Sequence, residues 1–278
     1  MIVLDCFAGI SGDMFLGAAI DLGVSPEALT QELRKLELSG WELQAEKVIS
    51  KGISGSRCRV ELRKQDHREG SAGHEEHENQ PDAANQKSRH HHRTCKEILN
   101  LIEQSELKES VKHHAASMFR KLAEAEGKIH GMPWDQVHFH EVGAVDSIID
   151  LVGAAVCMDL LDEESFLAGD VNVGSGYVHC AHGWFPVPAP AVLEVLRGTG
   201  IGIYRSHASK ETTTPTGAVI LAEYFRKEPD REKRVLYPEK IGYGFGTHEL
   251  EIPNALRMIQ GREKYQVNKG EQHANHKC

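Results

Sequence analysis

Hydrophobic and polar positions change period several times along the chain, and each change predicts an element. The apolar run from Ile2 closes on the carboxylate of Asp5, passes through the small-residue turn "CFAGISGD" and enters the helical spacing of "MFLGAAIDLG". This reads as strand, loop, helix. "WELQAEKVIS" and "SGSRCRVELR" alternate apolar with polar residues about the turn from Gly52 to Gly55, the pattern of paired strands. Leu107, Val111, Ala115, Met118, Leu122, Ala125 and Ile129 recur at the spacing of an amphipathic helix, which Gly131 and Pro133 stop. A further helix is predicted from Ser147 to Leu161, and "FLAGDVNVGSGYVHC" returns to strand and turn chemistry. "HGWFPVPAPAVLEVLRG" is a proline-stiffened loop leading into a helix that Gly198 and Gly200 end. "ETTTPTGAVILAEYF" places hydroxyls and a proline before another apolar helix. A strand from Val235 to Ile241, a glycine loop "GYGFGTHE" and the strand-like "NALRMIQ" follow. Strands and helices mix throughout, so the expected class is α/β, a mixed sheet with flanking helices.

Composition changes that picture at one place. From Gln65 to Arg93 apolar residues nearly vanish in favour of His, Glu, Asn, Gln and Ser, too few to offset the entropy of ordering. The expected organisation is one α/β core from residues 1–64 and 94–262, a disordered His-rich insert over 65–93 and a flexible tail over 263–278. The net charge of −9 argues against a nucleic-acid partner held by its phosphates. No apolar stretch approaches the roughly 20 residues that span a bilayer, and the start lacks the basic flank of a signal peptide. Six cysteines scattered singly, without CxxC spacing, suggest reduced thiols and a cytoplasmic location.

The densest candidate chemistry lies in "HFHEVGAVDSIID". His138 and His140 are two apart and would share one side of an extended segment. Glu141 follows, Gly143 would let the chain turn, and Asp146 and Asp150 lie one turn apart on the next helix. Imidazoles with nearby carboxylates suit borderline divalent ions such as nickel or zinc. The alternative is that Asp146 caps the helix and the histidines merely pack.

Other stretches offer weaker signals. Asp5, Gly9, Gly12 and Asp13 surround a strand-to-helix turn, where glycines admit a phosphate and two carboxylates could hold magnesium; Asp13 as an N-cap explains as much. Glu211 with Thr213 and Thr214 stands at a helix start and could touch an anion or simply cap. His248 and Glu249 follow the glycine loop, and His179, Cys180 and His182 form a second-rank metal candidate. The insert's His67, His74, His77, His90, His91 and His92 would collect transition metals whether or not they store them.

Taken together, "DCFAGISGDM", "HFHEVGAVDSIID", "GWFPVPAPA", "ETTTPTGA" and "GYGFGTHE..IPNALR" resemble, in order, the nickel-insertion proteins that mature the lactate racemase cofactor. The likeness spans nearly the whole chain outside the insert and tail. It implies insertion of Ni2+ into pyridinium-3,5-bisthiocarboxylic acid mononucleotide through one carbon–nickel and two sulfur–nickel bonds, assisted by CTP hydrolysis and by Mg2+ or Mn2+. It marks Asp5, Gly9, Gly12, Asp13, His138, His140, Glu141, Asp146, Glu211, Thr213, Thr214, Pro215 and Gly217. Glu141, His140 and Asp146 are then the expected catalytic residues, and His138, His140 and Glu141 the expected nickel ligands. Asp5, Gly9, Gly12, Asp13, Glu211, Thr213 and Thr214 are expected to bind the nucleotide. Longer members carry a further carboxy-terminal domain, so a separate carboxy-terminal component is an expected partner, with apo lactate racemase as a candidate recipient. A metallochaperone without turnover and a metal-dependent phosphohydrolase are the alternatives.

Overall fold

The computed structural model describes residues 1–62, 93–139, 142–180, 183–206, 208–227 and 234–265. The expected insert apart from Arg93, the tail beyond residue 265, His140, Glu141 and His182 lie outside the described residues.

A mixed seven-stranded sheet organises the chain, in keeping with the α/β reading. Its strand β1 (Ile2–Asp5) is almost wholly buried, since three aliphatic side chains in a row have core on both faces. β2 (Trp41–Ser50) and β3 (Ile53–Leu62) form the expected antiparallel pair, turning at Lys51 and Gly52, with Gly55 inside β3. They are joined by β4 (Phe166–Ala168), β9 (Arg226–Lys227), β10 (Arg234–Phe245) and β11 (Ala255–Tyr265) in the spatial order β2-β3-β10-β11-β1-β4-β9. β1 runs parallel to β4 and antiparallel to β11. The sheet extends to Tyr265, past the expected core limit of 262.

The glycine loop needs correction. Gly242, Tyr243, Gly244 and Phe245 belong to β10, and the loop begins only at Gly246. The reason is steric: α1 (Gly12–Leu22) lies directly on this strand, and a Cβ at Gly244 would stand 1.8 Å from the Met14 carbonyl oxygen. Glycine in a strand here marks the close approach of another backbone.

Two helices escape the periodicity, α2 (Pro26–Leu33) and α3 (Cys95–Gln104). The second opens with a capping box between Thr94 and Glu97. The long amphipathic helix is α4 (Glu109–His130), ended by Gly131 at φ +67°. α5 (Val145–Leu161) starts two residues before the expected Ser147 and is buried at Ile148, Ile149 and from Leu151 through Met158. A helix apolar all round belongs at the centre. α5 accordingly packs against α1, α2, α4 and α7 (Pro215–Tyr224). Each large side chain fully buried there contributes about 2 kcal/mol.

The remaining elements sit around the end of this core. β5 (Val171–Asn172) pairs in parallel with β8 (Ile203–Tyr204). β6 (Tyr177–Cys180) forms a hairpin with β7 (Gly183–Pro186), so the stretch "GWFP", expected as loop, is a strand. α6 (Pro190–Leu196) follows the first of the two proline signals and α7 the second. Among the described residues no helix is long and apolar enough to cross a membrane.

Candidate functional site

Two loops far apart in sequence are stitched together at the top of β1. Gly9 has φ +82°, and a Cβ on it would stand 1.9 Å from the carbonyl oxygen of Thr212. Ile10 N donates to that same oxygen at 2.9 Å, and Thr214 N donates back to Ile10 O at 3.1 Å. Gly217 makes room for the Ile10 carbonyl, which would lie 2.1 Å from a Cβ there. The loop that carries Gly9 and the strap that carries Glu211 to Thr214 are therefore one unit.

Asn172 locks this unit from beneath. Its side chain, wholly buried, donates to Phe7 O at 2.8 Å and to Ser206 Oγ at 2.7 Å, and accepts from Gly174 N at 3.0 Å. Its backbone oxygen accepts the hydroxyls of Thr212 and Thr213 at 2.8 and 2.7 Å. Thr213 is thus engaged in holding the strap, and Thr214 caps α7 by accepting from Gly217 N at 3.2 Å. Sequence reasoning misses Asn172; its signal is a lone amide between two valines in "VNVG".

The carboxylates expected to share a cation each have contacts of their own. Asp5 pairs with Arg257. Asp13 sits in the first turn of α1, accepting from Ser11 Oγ and from Met14 N, while Ser11 is the N-cap residue. Its near carboxylate is Asp150 of α5, whose Oδ2 would lie 2.5 Å from a Cβ at Gly12. Burial raises the Asp13 pKa against its own hydrogen bonds and the charge of His248. Asp150 keeps some exposed surface at its edge, yet burial of its carboxyl, followed by the charges of Asp13 and Asp146, holds its pKa well above the usual range. The thiols of Cys6, Cys58 and Cys157 are likewise pushed up by burial, which leaves them protonated and unreactive.

Asp150→Asn should therefore stabilise the chain as pH rises. A carboxyl whose folded pKa is raised gives a folded state that holds more protons than the unfolded one, so stability falls from about pH 4, the unfolded carboxyl value, up through the folded pKa. The amide abolishes that loss. Thermal unfolding should show little difference near pH 4 and a gain in stability that grows as pH rises toward 7.5. An amide variant no more stable than wild type at pH 7.5 would refute the argument.

The segment densest in candidate chemistry is only partly on view. His138 is exposed, its backbone bridged to Thr94, while His140 and Glu141 are outside the described residues. Asp146 is exposed in the first turn of α5 and accepts from Ser147 N at 2.8 Å, which is helix-end chemistry. Gly143 lies in the turn before α5, as expected, without a positive φ. Its reason is space: a Cβ would lie 2.9 Å from Phe139 O and 3.1 Å from Arg93 O.

Beside this segment lies an apolar pocket of about 100 Å³. The end of α4 supplies Glu126, Ile129 and His130; the segment itself supplies Phe139 and Val142. The hairpin adds Val178, Cys180 and Phe185, the start of α6 adds Ala189 to Ala191, and the strap adds Glu211 and Pro215. Three of the quoted stretches thus converge on one concavity, mostly apolar with a few polar groups, as small-molecule sites usually are. Glu126 and His130 are additions that sequence reasoning misses; they lie one turn apart with His130 Nε2 3.2 Å from the carboxylate. Among the described residues no three His, Cys, Asp or Glu side chains are grouped to hold a metal ion.

The sequence, compared with known proteins, falls in a family. A family model described as nickel insertion protein matches residues 2–277. A pyridinium-3,5-bisthiocarboxylic acid mononucleotide nickel insertion protein of Clostridium kluyveri is 47% identical over 94% of this chain and 61% of its own length. The protein of the same name from Geobacillus kaustophilus is 42% identical over 95% of this chain and 60% of its own. A putative nickel insertion protein of Wolinella succinogenes is 45% identical, with 94% and 60% covered. The chain spans about three-fifths of the length of these relatives. No solved structure matches it. By sequence over nearly its full length, the chain belongs to the nickel insertion protein family.

Proposed function

We propose that the chain inserts nickel into pyridinium-3,5-bisthiocarboxylic acid mononucleotide, maturing the nickel-pincer cofactor of lactate racemase in the cytoplasm. The observation that carries this reading is the convergence of the segment after His138, the "GWFPVPAPA" stretch and the strap from Glu211 to Pro215 on one pocket, in a chain of this family. Relatives whose names specify that substrate support the choice of ring.

The chemistry is metallation of a ring carbon. Two thiocarboxylate sulfurs hold Ni2+ over the carbon between them, the C–H bond breaks, its electron pair forms the C–Ni bond and the proton leaves to a base. Nickel remains Ni2+. Glu141 or His140 takes that proton, both being groups of suitable basicity that stand in the sequence between the pocket-lining Phe139 and Val142. His138 with His140 and Glu141 delivers the metal, with Asp146 at the next helix start as a further charge. Asp5, Gly9, Gly12 and Asp13, together with Glu211, Thr213 and Thr214, form the nucleotide-facing end. CTP hydrolysis with Mg2+ or Mn2+, a carboxy-terminal component and transfer to apo lactate racemase complete the reading.

The test is to mix the chain with nickel, CTP, Mg2+ and the thiolated mononucleotide, with and without the carboxy-terminal component, and to follow the nickelated product by mass spectrometry. Product should form when all parts are present, and Glu141→Gln or His140→Gln should lower its rate about 100-fold; nickel retained by Glu141→Gln marks the glutamate as the base, and nickel lost marks it as a ligand. Nickel bound but never transferred under any condition would make the chain a metallochaperone. Wild-type rates in both variants would remove the segment from the chemistry.

A further inference from the structure

We infer that the hairpin of β6 and β7 is a flap over the pocket, and that the pyridinium ring with its two thiocarboxylates enters only when this flap swings outward. The identity of the ring rests on the substrate proposed above.

β6 and β7 pair with each other alone, outside the seven-stranded sheet. Among the described residues no other helix or strand packs its backbone closely along them. Side chains alternate across such a ribbon. Val178, Cys180 and Phe185 line the pocket, whereas Tyr177, His179, Trp184 and Pro186 stand in solvent, Tyr177 being 69% and Trp184 71% exposed. The outer aromatics therefore do nothing to fasten the hairpin down, and a two-stranded ribbon held through one face belongs to the low end of local stability.

The hairpin is nonetheless built to move as one piece. Val178 stands opposite Phe185 and His179 opposite Trp184, with the last two rings 5.2 Å apart, edge to face. Cross-strand pairs of this kind stiffen a ribbon. Its base is pinned instead: Val187 N donates to Gly176 O at 2.9 Å, Arg205 Nη2 to Val187 O at 3.1 Å and Ser175 Oγ to Ala208 O at 2.7 Å. Gly176, at φ +91°, joins the pinned base to the stiff blade, and a residue there that absorbs rotation makes a hinge.

The size of the pocket requires the motion. An apolar cavity of about 150 Å³ takes up benzene, so a volume of about 100 Å³ falls short of a bare ring and further short of one with two thiocarboxylates. Phe139 and Val142, opposite the hairpin, are buried in the core and cannot retreat. The hairpin can. An outward step of about 4 Å, one carbon contact distance, opens a slot as thick as a flat ring, and Val178 and Phe185 then lie against the ring.

Spin labels on ketone side chains that replace Trp184 together with Leu193 or Leu160 read this as a distance. All three positions are exposed and none lines the pocket, while Leu193 of α6 and Leu160 of α5 belong to helices packed into the body. Saturation with the nickel-free mononucleotide should move at least one of the two distances by about 4 Å or more, since the tip of a swinging hairpin travels further than its middle. Phe185→Ala trims the inner face of the flap, so without any ligand it should already show the shifted distance as a second population; circular dichroism reports its fold. Distances that stay unchanged while equilibrium dialysis shows the mononucleotide bound overturn the flap and leave the broader function standing. A folded Phe185→Ala variant with the closed distance alone overturns it as well. No binding of the mononucleotide to the unlabelled chain overturns the function itself and the role of the flap with it.

Discussion

Gly9→Ala should cost the chain about 3–5 kcal/mol, enough to unfold much of it at ordinary temperature. Two penalties combine. An L side chain at φ +82° costs on the order of 1–2 kcal/mol by itself. The larger part is collision, since the new Cβ would stand 1.9 Å from Thr212 O. That oxygen cannot retreat, because it accepts from Ile10 N while Thr212 Oγ1 is tied to Asn172 O. Loop and strap must part. Glu211 and Pro215 would leave the pocket with the strap, so mononucleotide binding should fall together with stability. Urea unfolding of the variant measures the first effect and dialysis the second. A loss under about 1 kcal/mol would mean that the strap yields freely, contrary to the hydrogen bonds that pin it.

Whatever depends on local period is legible in the sequence. β1, the β2–β3 pair, α4 and α7 announce themselves through spacing, capping hydroxyls and proline, because each faces one consistent environment along its length. α5 is legible as a helix yet not as the central one, since a helix buried on all sides carries no polar stripe. The "GYGF" segment misleads for the opposite reason. Its glycines look like freedom, whereas they answer to α1, an element at the other end of the chain whose backbone rests on them. Gly143 is a turn residue by sequence and in the structure, and a contact residue as well.

The site is legible as a set of stretches and illegible as a geometry. Asp5 and Asp13 are close in the chain, but Asp5 pairs with Arg257 of β11, whereas Asp13 accepts from Ser11 and the Met14 amide and bears on the charge of Asp150 in α5. Glu126 and His130 carry no signal because an acid and a histidine one turn apart on an amphipathic helix normally read as a solvated pair. Only the packing of α4 against α6 and α7 turns that pair toward a pocket.

Asn172 offers the sharpest separation of packing from polarity. Asn172→Ala leaves Phe7 O and Gly174 N without these partners in a largely buried place, a loss of about 2–4 kcal/mol that should not vary with pH. Asn172→Asp keeps the size and the acceptor for Gly174 N but turns the donor that faced Phe7 O and Ser206 Oγ into an oxygen. Ionised, that oxygen repels the Phe7 carbonyl and sits without solvent; protonated, it can donate again. Burial therefore lifts the pKa of the new carboxyl above its unfolded value of about 4. The folded state then holds the proton longer than the unfolded state, and stability falls as pH climbs from about 4 through the raised folded pKa. Below that window Asn172→Asp should lie close to wild type; at pH 7.5 it should be as unstable as Asn172→Ala or worse. Thermal unfolding across pH 4 to 8 decides it, and parallel profiles for the two variants would mean that the amide fills space at this junction without holding the Gly9 loop through its donor.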